Sequence, residues 1–176
     1  MSDGTIPVVV VGAGPAGLST SRELTNAGVE HVVLERDRIG QTWRNRWDSF
    51  CLVTPNWTVQ LPDGRYDGPD PDGFMPRDEF VGYLERYADG FQAPVRENAE
   101  VTSIEAVDDG FLLRTSEGEL RAGAVVLATG AFQRPHRSAW ADSLPAGLFQ
   151  IDVNEYRNEQ QIPPGRVLVV GSGQSG

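Results

Sequence analysis

The chain has 176 residues, 39% apolar and 23% charged, enough for a domain with its own core, and no apolar run approaches the roughly 20 residues of a membrane helix. Its formal net charge of −10 argues against nucleic acid and anionic membrane surfaces as partners, because both recruit clustered positive charge. Lys is absent, which excludes a Lys nucleophile or Schiff base, and the one Cys, Cys51, excludes a CxxC redox pair. With no basic signal-peptide region at the N-terminus, a cytoplasmic setting is expected.

In chain order, Ile6–Val11 reads as a strand buried on both faces of a parallel sheet, because its apolar character is continuous. A helix follows, with Pro15 in its first turn and Asn26-Ala27-Gly28 as its C-terminal stop. Residues 29–34 form a second strand and complete a right-handed β-α-β unit. Residues 37–73 are irregular and punctuated by Pro55, Pro62, Pro69 and Pro71, with Asp63-Gly64 and Asp72-Gly73 as turns. The aromatics Trp43, Trp47, Phe50, Trp57 and Tyr66 make this stretch a functional loop rather than a disordered one. Residues 76–88 predict a helix with Phe80, Leu84, Tyr87 and Ala88 on one face.

Short strands over 101–107, 111–116 and 119–121, with Asp109-Gly110 and Glu117-Gly118 as turns, predict a small antiparallel β-meander. A further fully buried strand is expected over 124–128, ending in Thr129-Gly130. A turn-rich connection leads to a last strand over 166–170. The fold class is α/β and Rossmann-like, divided into a dinucleotide-binding domain (1–135), a connecting segment (136–165) and the start of a second nucleotide domain (166–176).

The chemistry lies in Gly12-Ala13-Gly14-Pro15-Ala16-Gly17. A glycine motif of this kind is informative when a strand precedes it, a helix follows, and an acidic residue closes the next strand. Here Glu35 is that residue. Gly12 permits the tight turn, Gly14 lets the backbone approach a pyrophosphate, and Gly17 allows close helix–strand packing. The helix N-terminus offers N–H groups to the phosphates, and Glu35 is placed to bind an adenosine ribose. Arg36 and Val101 are counted with the cofactor-binding residues. These residues predict a dinucleotide site and leave FAD and NAD both open. A second glycine motif, Gly171-Ser172-Gly173-Gln174-Ser175-Gly176, follows the 166–170 strand. It lacks its own helix and acidic or basic selector, so NADPH and NADH also stay open.

The segment ending in Ala128-Thr129-Gly130 after a three-stranded meander resembles the second FAD fingerprint of flavoproteins with two dinucleotide domains. Arg38-Ile39-Gly40-Gln41-Thr42-Trp43, then Trp47 and Thr54-Pro55-Asn56-Trp57, resembles flavin-containing monooxygenases, closest to a bacterial branch of that family. Pro76-Arg77-Asp78-Glu79-Phe80 and Tyr156-Arg157-Asn158 extend the likeness over nearly the whole chain. The resemblance implies FAD as cofactor, with Thr129 and Gly130 near it and Gly171, Gly173, Gln174, Ser175 and Gly176 facing NADPH or NADH. It implies that Gln41, Thr42 and Trp43 line the flavin and that Asn56 is the catalytic amide at its reactive face. The implied reaction is flavin reduction by NAD(P)H, then activation of molecular oxygen as a hydroperoxyflavin that oxygenates a small molecule. A flavin reductase or dehydrogenase on the same scaffold, or a non-catalytic dinucleotide-binding module, are the alternatives.

The sequence departs from the family in one pattern. Asp152 stands where a histidine precedes the aromatic Tyr156, and Ala146 and Leu148 replace a Phe and a Gly. The chain also stops inside its second glycine motif. It is therefore expected to be the N-terminal part of such an enzyme, with weak FAD binding and no turnover alone. Of the remaining tempting residues, His31 is expected to be packed or at an edge, His136 solvated, and Cys51 a buried inert thiol.

Overall fold

The computed structural model describes residues 4–131 and 137–171 of the chain. Its centre is a six-stranded mixed sheet built on β1 (Ile6–Val11), β2 (His31–Leu34), β5 (Val95–Arg96), β6 (Val101–Val107), β7 (Gly110–Thr115) and β8 (Gly118–Leu127), in the order β5-β2-β1-β8-β7-β6. β5, β2, β1 and β8 run parallel; β8, β7 and β6 form the antiparallel meander. β1 is therefore central, with Val10 paired to Val33 on one side and to Val126 on the other. That position explains its unbroken apolar sequence: Val9 and Val10 point to opposite faces, and both are fully buried.

Helix α1 (Pro15–Asn26) crosses from β1 to β2 and stops at Gly28, whose φ of 66° needs glycine. α1 and α3 (Arg77–Gly90) cover one face, where Val10, Leu18, Val33, Met75, Phe80 and Leu84 share a core. On the other side Val9, Val32, Leu34, Leu113 and Ala122 form a second core that the meander helps to build.

The irregular segment contains short ordered pieces: α2 (Gln41–Arg44), a 3-10 turn (Asn56–Thr58), and a hairpin of β3 (Gln60–Leu61) and β4 (Gly64–Arg65) around Asp63 and Gly64. Aromatic side chains fasten this segment to α3. The Trp43 ring meets Phe80 edge-on at 4.7 Å and Phe50 at 5.7 Å. The Tyr83 and Tyr87 hydroxyls donate to the carbonyls of Gly64 and Pro62, at 3.3 and 2.7 Å. Burial pushes the Tyr87 phenol up to about 12.

Four expectations are corrected. The third meander strand and the strand over 124–128 are a single ten-residue β8, since nothing forces a break at Gly123. β8 is not buried on both faces, and Leu127 is exposed. Residues 166–170 form no strand: Val167, Leu168, Val169 and Val170 are all exposed, because no neighbouring strand among the described residues accepts their backbone groups. Cys51 is exposed, because Leu52 beside it takes the inward position. His31 is half-buried at the β2 end, its Nε2 2.8 Å from the Ser21 hydroxyl. His136 lies outside the described residues.

Candidate dinucleotide site

The loop between β1 and α1 sits where β1, β2 and β8 all end, at the carboxyl edge of the parallel strands. The Gly12 N–H donates to the Leu34 carbonyl at 2.8 Å, and the Ala128 N–H donates to the Val11 carbonyl at 2.8 Å. Ligand sites in open α/β sheets form at this edge.

The three glycines are under different pressures. Gly12 has φ 106°, and a Cβ there would lie 2.5 Å from the Ala128 carbonyl oxygen. A Cβ on Gly17 would lie 1.8 Å from the Gly12 carbonyl oxygen. Both glycines are therefore required by the protein's own packing. Gly14 is different: a Cβ there would meet nothing within 4 Å. No described residue fills the space in front of Gly14. Among the described residues no side chain caps α1 at Gly14, so first-turn N–H groups are left for an acceptor from outside the helix.

Glu35 faces this loop. One carboxylate oxygen accepts the Ala13 N–H at 2.8 Å and the other accepts the Asp37 N–H at 3.1 Å. These bonds fix the carboxylate beside the loop and leave further lone pairs on each oxygen for ligand hydroxyls. The neighbouring chain runs alongside: the Ala99 N–H donates to the Glu35 carbonyl at 2.9 Å, and the Ile39 N–H donates to a Glu97 carboxylate oxygen at 2.8 Å. Val101 follows this strip and packs against the Leu34 core. Arg36 is exposed and pairs with Asp37 at 3.2 Å. Glu97 was not anticipated, and its role depends on two segments 58 residues apart meeting in space.

Gly40, with φ 69°, turns the chain into α2. Its N–H donates to the Ala13 carbonyl at 3.2 Å. The structure thus brings Gln41, Thr42 and Trp43 to the glycine loop. Trp43 is half-buried against Phe80, Thr42 is exposed, and the Gln41 amide donates to Asn45 at 2.9 Å. Arg44 is held by Glu85. Thr129 and Gly130 lie exposed just past β8, with Gly130 at φ 78°.

Asn56 is buried, and its amide clamps the loop around it. Nδ2 donates to the Asp70 carbonyl at 2.8 Å, and Oδ1 accepts the Met75 N–H at 2.6 Å. Gly171 is exposed, and Gly173, Gln174, Ser175 and Gly176 lie outside the described residues.

Residues 9–176 match the family described as pyridine nucleotide-disulphide oxidoreductase, and the chain belongs to that family. It is 40% identical, over 172 residues, to an uncharacterized CzcO-like oxidoreductase of Geobacillus kaustophilus, covering 97% of this chain and 49% of the relative. It is 34% identical to the indole-3-pyruvate monooxygenase YUCCA1 of Oryza sativa subsp. japonica, over 96% of this chain and 42% of that protein. Among solved structures, a flavin-containing monooxygenase from Stenotrophomonas maltophilia superposes with a TM-score of 0.64 at 27% identity, covering 71% of this chain and 38% of that one. The chain thus spans half or less of the length of these relatives. The likeness to flavoprotein monooxygenases drawn from the motifs holds, as does the Rossmann-like fold. With one Cys, these residues carry no dithiol pair for the disulphide chemistry in the family's name. Among the described residues, no helix is long and apolar enough to cross a membrane.

Proposed function

We propose that the chain provides the FAD-binding part of an NAD(P)H-dependent flavoprotein oxidoreductase of the monooxygenase type. The carrying observation is the contrast at the glycine loop. Gly12 and Gly17 are demanded by the protein's own atoms, whereas Gly14 opens onto space that the described residues leave free. A bare backbone that the described residues do not themselves require is suited to a ligand phosphate. FAD, when bound, would supply the acceptance of hydride from NADPH or NADH and the activation of molecular oxygen.

The chain's own residues have distinct tasks in this reading. The loop from Gly12 to Gly17, with Ala13, Pro15 and Ala16, holds the pyrophosphate. Glu35 accepts hydrogen bonds from the ribose hydroxyls, with Arg36 and Val101 beside it. Gln41, Thr42, Trp43, Thr129 and Gly130 border the flavin. Gly171, Gly173, Gln174, Ser175 and Gly176 are assigned to the nicotinamide nucleotide. Asn56 is the catalytic amide carried over by resemblance: its Nδ2 keeps a second N–H beyond the one given to Asp70. The division into domains over 1–135, 136–165 and 166–176, a cytoplasmic setting, and oxygen and a small molecule as reaction partners belong to the same proposal.

A titration of the purified chain with FAD, followed by quenching of flavin fluorescence, tests this. Gly14→Ala should fold as stably as the parent, within about 1 kcal/mol, since its backbone suits alanine. It should bind FAD at least tenfold more weakly. Glu35→Ala should also weaken binding. Unchanged affinity in Gly14→Ala would sink the assignment of the loop to the pyrophosphate.

A further inference from the structure

Residues 152–162, in the connecting segment, form a small self-bonded knot. Asn158 and Gln161 cap the 3-10 turn Glu159–Gln161 reciprocally. The Gln161 amide donates to the Glu155 carbonyl at 3.2 Å, and the Tyr156 N–H donates to the Asp152 carbonyl at 2.9 Å. Asp152 is paired in turn with Arg137 at 3.1 Å.

Two hydrogen bonds cross from this knot to the loop after α2, and they meet on one residue, Asp48. The Asp48 N–H donates to the Arg157 carbonyl at 2.8 Å, and the Asn158 amide donates to the Asp48 carboxylate at 2.7 Å. The second carboxylate oxygen of Asp48 accepts from Arg77 at 3.1 Å. Arg77 also donates to the Arg46 carbonyl at 3.0 Å and pairs with Asp78. Asp48 therefore joins three elements: the loop that follows α2, the first turn of α3, and a segment 110 residues away. Its carboxylate and backbone both take part, so the contact fixes an orientation as well as a distance.

We propose that Asp48 is a positioning residue that latches the connecting segment to the loop after α2, so that occupancy of the flavin site and the ordering of residues 152–162 are coupled. The coupling rests on the flavin reading above; the latch rests on the hydrogen bonds alone. A site that orders the loop would order the knot by the same free energy, and tightening the knot would favour the site reciprocally.

Amide hydrogen exchange on the whole 176-residue chain tests the latch without any cofactor. The most direct probe is the residue-48 amide, whose acceptor lies across the contact, with the amides of 155–162 as a second readout. Asp48→Ala should speed exchange at these positions about tenfold while leaving β1 amides unchanged. Asn158→Ala, which cuts the same bond from the other side, should do likewise. The double variant Asp48→Asn with Asn158→Asp exchanges donor for acceptor and should restore protection to within threefold of the parent. A role in general loop packing would not be rescued by this swap. Unchanged exchange in both single alanine variants, or failure of the swap to restore protection, would overturn the latch.

The coupling has a separate arm. FAD added to the parent should slow exchange at 155–162, and the slowing should be lost in Asp48→Ala. If both proteins bind FAD and slow equally, the coupling falls. If flavin fluorescence shows no binding to the parent, the flavin reading and the coupling fall together, and the latch still stands or falls on the cofactor-free measurement.

Discussion

Residues 6–17 and 166–176 carry the same sequence pattern, a valine-rich run that enters a glycine motif, yet the two valine runs are built differently. At the first, β1 lies between β2 and β8, Val9 and Val10 are fully buried, and Gly12 and Gly17 are held against the Ala128 and Gly12 carbonyls. At the second, Val167 to Val170 lie beside no strand among the described residues, and Leu168 is 86% exposed. The glycines tell the same story. Gly12 has its nearest neighbour at 2.5 Å from a virtual Cβ, while Gly171, also at positive φ, has nothing within 4 Å among the described residues. A glycine motif becomes a defined site through the strands and helix around it, and at the first motif those partners are β2, β8 and α1.

Substitution should separate the two ends, and the largest effect belongs to the first. Gly17→Ala places a methyl group into the Gly12 carbonyl, a backbone clash that cannot be relieved by a rotamer change. A loss of about 3 kcal/mol or more is expected, read as a lower urea midpoint. A variant within about 1 kcal/mol of the parent would show that the loop is less tightly packed than its geometry states. Next, Asn56→Ala should cost about 2–3 kcal/mol, because it strands the buried Met75 N–H and releases the Asp70 carbonyl. Its unfolding should begin in the loop around 54–75, seen as early proteolytic cleavage there.

A matched pair sharpens the contrast further. Val10→Ala removes two methyl groups from a fully packed position and should cost about 2 kcal/mol. Val169→Ala makes the same chemical change on an exposed side chain and should stay within about 0.5 kcal/mol. Equal costs at the two positions would mean that residues 166–170 are packed in solution.

Much of this was legible in the residues. The β-α-β unit, α3 and the meander follow from local periodicity and turn chemistry, and α3 shows it well: Phe80, Leu84 and Ala88 are buried as their spacing implies. The candidate site was legible where one short segment contains it, as in the glycine loop with Glu35. The rest depends on contacts between distant segments. β5 is two residues long and exists because it pairs with β2; its own sequence carries no strand signal. The continuity of β8 through Gly123 depends on partners on both sides, Pro7 at the β1 edge and Phe111 opposite Ala122. Asn56 reads as a turn residue after proline, and its clamp requires Asp70 and Met75 to come together. Asp48 has no motif at all; its bonds to Asn158 and Arg77 arise only when the chain is folded.

The smallest expected effect concerns pH, and it also divides the molecule. Asp48 is held below the ordinary carboxylate range, first by the Asn158 amide, then by the Arg77 guanidinium and the more distant charge of Arg157. Asp78 is lowered first by its hydrogen bond from the shared Arg77, and its proximity to Asp48 works slightly the other way. Asp63 is lowered by Asn26 and Arg22, which tie the β3–β4 hairpin to α1. A carboxylate whose folded pKa is depressed adds stability that is fully present above its unfolded value of about 3.9 and is lost as pH falls through the lower folded value. All three carboxylates are solvent-exposed, so each contribution is small. Stability should therefore be flat, as far as these groups are concerned, from neutral pH down to about 5, and should decline below about 4. In Asp48→Asn that acid decline should become shallower, whereas Val169→Ala should keep the parent's pH profile. Urea midpoints measured across this range would reveal the difference, and an Asp48→Asn profile that follows the parent's would mean that the Asp48 contact adds no measurable stability.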